Sequence, residues 1–166
     1  MVRPFEPDDE AVLWDLKRAF ERGLGEGTGV DGKAARYAEK LDASYRERYL
    51  DWVGRCIREE PGAVQLAERD GSVVGYVFVL PESMAHIWDG AVLNELYVKP
   101  AHRGADVGDE LISAAITVAR NQDLPLDRIL LDVDRSNDRA RAVYERHGFE
   151  HWGEMLAREL RSPEGK

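Results

Sequence analysis

The residues best placed to do chemistry lie in one stretch, Arg103-Gly104-Ala105-Asp106-Val107-Gly108. The segment before it, Val92 to Val98, is rich in β-branched, aromatic and leucine residues, and Pro100 follows. That composition reads as a strand that Pro100 cannot prolong. Beyond the stretch the apolar period changes, and Val107, Leu111, Ala115, Ile116 and Ala119 fall on one helical face. Small residues let a backbone approach a ligand closely, and a helix start directs unpaired N–H groups at whatever sits there. This design suits an anionic group, above all a phosphate.

A second group follows at helical spacing. Asn137, Ala140 and Tyr144 are three and four residues apart, which puts them on one side of a short helix. Ser136 or Asn137 caps it, and Gly148 ends it. Two carboxylates, Glu95 and Asp132, sit near strand ends. The period of two places Glu95 on the face of Leu93 and Tyr97.

Other features are weaker. Gly27-Thr28-Gly29-Val30-Asp31-Gly32-Lys33-Ala34 imitates a P-loop, but Ala34 lacks the hydroxyl that Mg²⁺ needs and no strand feeds the loop. His86 has no partner ligands in the sequence. Cys56 lies on an aromatic stripe with nothing nearby to activate a thiolate, so it reads as packing.

The two main stretches together resemble the signatures of the GNAT superfamily of N-acetyltransferases. Arg103 to Gly108 resembles its acetyl-CoA motif, Q/R-x-x-G-x-G/A. Ser136-Asn137-Asp138-Arg139-Ala140-Arg141-Ala142-Val143-Tyr144-Glu145-Arg146-His147-Gly148-Phe149 resembles its second signature, N-x-x-A-x-x-x-Y-x-x-x-G-F. The resemblance covers roughly the second half of the chain. It implies an α/β (α+β) GNAT fold. Its central sheet is mixed and mostly antiparallel, flanked by helices, with acetyl-CoA wedged between two splayed parallel strands.

It also implies roles. Backbone groups around Leu96, Tyr97 and Val98 hold the thioester and the pantetheine arm. The amides of Arg103, Gly104, Ala105, Asp106, Val107 and Gly108 wrap the pyrophosphate. Asn137 is a cofactor contact, a helix cap or both, and Ala140 leaves room for the cofactor. Tyr144 takes the position of the general acid, with packing on the sheet as its other use. The base is Glu95, Asp132 or a chain of waters.

One residue departs from the family pattern: Asp106 replaces the central glycine of the loop. At about 5 Å a carboxylate repels a phosphate charge by roughly 1 kcal/mol in water and about 3 kcal/mol at intermediate dielectric. Aspartate tolerates positive φ and serves as a helix cap. Lys99, His102 and Arg103 add positive charge, so cofactor binding is expected to survive. A non-catalytic acyl-CoA-binding module is the alternative reading, resting on Asp106 alone.

The rest of the chain must position these residues. Val2 to Phe5 reads as a first strand. Pro7-Asp8-Asp9-Glu10 starts a helix whose buried face is Val12, Leu13, Leu16 and Phe20. The glycine run after it, Gly23 to Gly32, is a mobile connection, and the family resemblance makes it a candidate substrate lid. Lys33 to Glu60 reads as one long helix or two joined ones, with Tyr37, Leu41, Tyr45, Tyr49, Trp52 and Cys56 along one stripe. Val64 to Glu68 and Ser72 to Leu80 are strands joined by the hairpin signal Asp70-Gly71. Arg128 to Val133 is a strand parallel to Val92–Val98. Phe149 to Glu154 and Met155 to Leu160 read as a closing antiparallel pair, and the tail beyond them as frayed.

At 166 residues the chain is read as one domain, 1–166. Its net charge of −9 argues against nucleic-acid binding and suits a cationic amine acceptor. One cysteine excludes an internal disulfide and a cysteine-based metal site. No apolar run reaches spanning length and the start lacks a signal-peptide core, so a cytoplasmic protein without membrane partners is expected. No metal is called for. A homodimer is common in the family, and no segment specifies one.

Overall fold

Asp70 and Gly71 sit at φ 52° and 79°, the positive-φ pair that a two-residue hairpin turn requires. They join β2 (Val64–Arg69) to β3 (Ser72–Val79) in a computed structural model that describes residues 1–26 and 33–161. The hairpin is the middle of a five-stranded sheet in the order β1-β2-β3-β4-β5. β1 is Val2–Pro4, β4 is Ala91–Val98 and β5 is Ile129–Leu130. The first four strands pair antiparallel, and β5 joins β4 in parallel. This is the mixed, mostly antiparallel sheet that the sequence predicts.

Helices cover both faces. α1 (Glu10–Glu26), α2 (Lys33–Glu39) and α3 (Ala43–Glu59) precede the hairpin, α4 (Val107–Arg120) follows β4, and α5 (Asp138–Arg146) follows β5. The segment from Lys33 to Glu60 is therefore two helices. Asp42 separates them by accepting from the Tyr45 N–H at 2.8 Å, which starts α3 afresh. The entry to α1 is fixed in the same way. Asp9 Oδ2 accepts from the Glu6 N–H at 2.8 Å, while Arg3 clasps both Asp9 oxygens at 2.8 and 2.9 Å.

Alternation along the strands sorts two cores. Leu66, Tyr76 and Phe78 pack with Leu13, Leu16, Tyr49, Val53 and Cys56 on the α1/α3 face. Ala67, Val74, Val77 and Val79 pack with Val107, Leu111 and Ala115 on the α4 face. Each fully buried Leu, Val or Phe contributes roughly 1.5–3 kcal/mol from the area it removes from water. Trp14 is buried in place of Val12 on α1. Cys56 is packing, as its setting suggests: it is fully buried and desolvation pushes its thiol up to about 11.

Two expectations are corrected. The strand expected over Arg128 to Val133 is only Ile129–Leu130. The closing pair over Phe149–Leu160 does not form, and Trp152, Met155, Leu156 and Leu160 are exposed. The second follows from the first: a two-residue β5 offers too short an edge for another strand to join. The contacts the segment makes are polar and exposed, with Arg128 over the Trp152 ring at 4.9 Å and ion pairs Arg135–Glu154 and Arg36–Glu159. The connection expected over Gly23–Gly32 is shorter at its start, because α1 continues through residues 23–26; residues 27–32, which carry the rest of it and most of the P-loop look-alike, and the frayed tail at 162–166 lie outside the described residues.

Candidate active site

β4 carries an irregularity that shapes everything near it. Phe78 pairs with Glu95 and Val79 with Leu93, so Asn94 is the extra residue of a β-bulge. The bulge shifts the alternation by one. Leu93 and Leu96 enter the α4 core, whereas Tyr97 packs on the α1/α3 core and Glu95 bonds to Tyr49 and Tyr76 there. The expectation that Leu93 shares the face of Glu95 fails for this reason.

The parallel pairing of β4 with β5 stops early. Only Ala91 with Ile129 and Val92 with Leu130 are paired, and β4 then runs on with that edge open. The Lys99 N–H donates to the Val74 carbonyl at 2.8 Å, on the β3 side. Alternation therefore turns the backbone groups of Tyr97 toward β3 as well, and those of Leu96 and Val98 toward the open edge. Arg103 Nε donates to the Val98 carbonyl at 2.8 Å. Among the described residues, what remains free on the edge is the Leu96 N–H and C=O and the Val98 N–H. Tyr97 presents its ring instead, 5.4 Å from the Arg103 guanidinium.

The loop to α4 is built to gather amides. Gly104 and Asp106 have φ of 78° and 66°, which turns successive N–H groups inward. The first helical bond runs from the Glu110 N–H to the Asp106 carbonyl at 3.0 Å, so the N–H groups ahead of it lie outside the helix ladder. The Asp106 side chain is exposed and makes no capping bond. Its positive φ is as expected, and its capping role is not seen. Burial, and then the charge of Arg139, pulls Arg103 below its ordinary pKa. Two guanidiniums thus bear on one small region, an arrangement an anion relieves.

Arg139 belongs to α5, which brings the second signature to the first. Asn137 Oδ1 accepts from the Ala140 N–H at 3.2 Å, so Asn137 is the helix cap. Gly148, at φ 88°, ends the helix. Near that end His147 Nε2 and Arg146 Nη2 lie 2.6 and 2.9 Å from Asp109 Oδ1, in the first turn of α4. Tyr144 packs edge-on against Phe149 at 5.6 Å. Its hydroxyl has no partner among the described residues, and desolvation pushes the phenol up to about 12.

The two carboxylates fare differently. Asp132 is exposed, two residues past the end of β5. Glu95 is 4% exposed. Its Oε1 accepts from Tyr49 at 2.7 Å and Tyr76 at 2.9 Å, and its Oε2 from Lys17 at 2.7 Å and Asn94 at 3.3 Å. Desolvation first, and the Glu95 charge second, raises both phenols well above their usual value. Sequence reasoning missed Lys17, Tyr49, Tyr76 and Arg139. One signal was available: Lys17 interrupts the apolar stripe of Leu13, Leu16 and Phe20, where a solvated lysine does not belong.

The model of the acetyltransferase (GNAT) family matches residues 15–149. The chain belongs to the GNAT family. It is 31% identical to a mycothiol acetyltransferase of Thermobispora bispora over 156 residues, 91% of this chain and 46% of that protein. It is 32% identical to a mycothiol acetyltransferase of Salinispora tropica, across 91% of this chain and 45% of that one. The chain thus spans about half the length of the curated relatives it matches. A solved PaiA N-acetyltransferase of Thermoplasma acidophilum, in complex with coenzyme A, superposes with a TM-score of 0.69 at 20% identity. That comparison covers 90% of this chain and 89% of the other, and it shows a shared GNAT fold. In this GNAT chain the two signatures are the amide loop and the helix latched to it through Asp109.

Proposed function

We propose that the chain transfers an acetyl group from acetyl-CoA to a primary amine that attacks the thioester directly. The observation that carries this reading is the open edge of β4 at Leu96 and Val98, which leads into the amides from Gly104 to Asp109 ahead of the first helical bond. An extended pantetheine arm bears amides able to pair with that edge as an added strand does, and a pyrophosphate suits the amides at the α4 start. Arg103 and Arg139 supply charge for it. Family membership and the mycothiol acetyltransferase relatives support the same reading.

Bound acetyl-CoA supplies an activated acetyl thioester. The Leu96 N–H is the donor placed to polarise its carbonyl. Ala140, next to the Asn137 cap, leaves the α5 face low enough for a ligand to pass. Tyr144 stays protonated throughout the neutral range and directs an unpaired O–H from that helix. Full transfer of its proton to an ordinary thiolate near 8.5 costs about 5 kcal/mol. Tyr144 therefore acts as a hydrogen-bond donor to the departing sulfur, with water completing protonation. Asp132, exposed at the end of β5, is the carboxylate able to relay the amine's proton to solvent.

The acceptor belongs to the proposal only as a class, a primary amine; the negative overall charge favours a cationic one. Among the described residues no helix is long and apolar enough to cross a membrane. A cytoplasmic site of action is part of the proposal, supported by the single, buried cysteine. Calorimetry with acetyl-CoA, followed by a screen of primary amines for CoA release, tests the reading. Micromolar binding and release with at least one amine support it; absence of binding removes it.

A further inference from the structure

The segment after α5 is the part of the chain that the sheet leaves out. From Phe149 to Glu159 it runs without a turn or a bend, yet it joins neither a helix nor the sheet. Among the described residues no backbone hydrogen bond reaches beyond Phe149. Trp152, Met155, Leu156 and Leu160 are 60%, 64%, 91% and 99% exposed. An extended run of open N–H and C=O groups beside exposed apolar side chains is a template for another strand. β5 is too short to be that strand.

Alternation says which strand fits. In an extended chain Trp152, Glu154, Leu156, Arg158 and Leu160 share one face. Their order is apolar, acidic, apolar, basic, apolar, which is self-complementary about Leu156. When two such segments run antiparallel across a two-fold axis at Leu156, that leucine meets its own copy. Glu154 then faces Arg158 of the second copy, and Trp152 faces its Leu160. Symmetry makes each of these pairs twice. On the other face Met155 meets Ala157. Opposite charges and apolar groups set directly across a ladder stabilise it, and like charges oppose it. A slip of the register in either direction sets Leu156 against Glu154 or Arg158. A further slip sets Glu154 or Arg158 against its own copy. The register centred on Leu156 avoids every one of these mismatches.

We propose that residues 152–160 are an interaction surface for a second copy of this chain, the two segments pairing as antiparallel strands centred on Leu156. A net charge of −9 sets two copies against each other over most of their surface. This face instead brings an arginine to each glutamate it covers. Glu154 is now paired with Arg135, both side chains at least half exposed, and exchanging one such partner for another costs little. Glu159 lies on the opposite face and keeps its ion pair with Arg36 of α2. The pairing stands independently of the acetyltransferase reading.

Sedimentation velocity of the full chain, from micromolar to millimolar concentration, tests this. Wild type is expected to pass from monomer to dimer. Arg158→Glu sets like charges together at both symmetric positions, as Glu154→Arg also does. Each is expected to raise the dimer Kd by about tenfold or more. Glu154→Arg with Arg158→Glu in one chain is expected to bring the Kd back to within about threefold of wild type. Mixing the two single variants is expected to give a heterodimer, since one then carries two glutamates on this face and the other two arginines. Leu156→Cys is expected to cross-link to its own copy under mild oxidation faster than Ala157→Cys, because only residues directly opposite come within disulfide reach. Cys56 is fully buried and does not compete. A monomer at millimolar concentration overturns the proposal. So does a dimer indifferent to Arg158→Glu, one that the charge swap does not restore, or equal cross-linking at the two cysteines. Circular dichroism reports the fold of each variant; where a single variant does not fold, the swap and the cross-link still decide.

Discussion

His147 Nε2 lies 2.6 Å from Asp109 Oδ1, joining the end of α5 to the first turn of α4. Arg146 reaches the same oxygen at 2.9 Å. The contact carries the second signature to the amide loop, and it does so with charges that solvent partly screens. The hydrogen bond from His147, and then that from Arg146, holds the Asp109 carboxyl below its ordinary value.

Asp109→Asn is therefore expected to lose about 0.5–1 kcal/mol at neutral pH, the range of an exposed pair. The sign follows from a depressed carboxylate. Its contribution is complete above the unfolded value near 3.8 and disappears as pH falls through the lower folded value. Urea unfolding of wild type and variant should differ at pH 7 and draw together as the pH falls below about 3.8. A gap that persists in acid would show that the latch is not electrostatic.

Asp106→Gly alters affinity more than stability. Relief of the left-handed backbone is worth about 1 kcal/mol, and the greater freedom of unfolded glycine offsets most of it. Removing an exposed carboxylate from the anion loop is worth roughly 1 kcal/mol, about a fivefold tighter acetyl-CoA Kd at low salt. Calorimetry at high salt should shrink the gain to less than about twofold. A salt-independent gain would point to geometry rather than charge.

Tyr144→Phe should lower kcat by about tenfold or more and leave the acetyl-CoA Kd within about twofold, since only the O–H is removed. With the phenol up at about 12, wild-type kcat should show no alkaline fall from this group below about pH 11. Steady-state rates across pH, with an accepted amine, check both. Equal losses in the variant's kcat and cofactor affinity would mean that Tyr144 packs rather than donates.

Gly75 is needed for lack of a side chain. A Cβ there would stand 2.7 Å from the Tyr97 carbonyl, backbone that cannot swing away. Gly75→Ala should cost about 1–3 kcal/mol, or roughly 2–4 °C in Tm per kcal/mol at this size. Gly23→Ala, on α1 with nothing within 4 Å, should gain about 0.5–1 kcal/mol by helix propensity. Thermal melts of the two variants should move in opposite directions.

Lys17→Met should be the most damaging substitution, about 3–5 kcal/mol, because it leaves buried anions without their cation. Adding Glu95→Gln should recover part of that loss. Denaturant titrations of the two variants check the order. Additive losses would mean that Lys17 and Glu95 act independently.

The sequence by itself determined the local features of this protein. Turn chemistry fixed the hairpin at Asp70-Gly71, apolar period fixed α4, and capping residues and glycines fixed α5 and the loop from Arg103 to Gly108. The family was legible because both signatures are short and continuous, and their side chains and amides act near their own place in the chain. Only the tertiary structure decided how those pieces meet. A single bulge at Asn94 reassigned Leu93 to the other face, and strand alternation left Leu96 and Val98, not Tyr97, facing the open edge. β5 proved too short to support a closing pair. The Lys17–Glu95 pair joins residues 78 positions apart, and no local pattern encodes a contact that depends on how α1 packs across the sheet. For such a contact the sequence offers only a charge in an apolar stripe, and the fold supplies its partner.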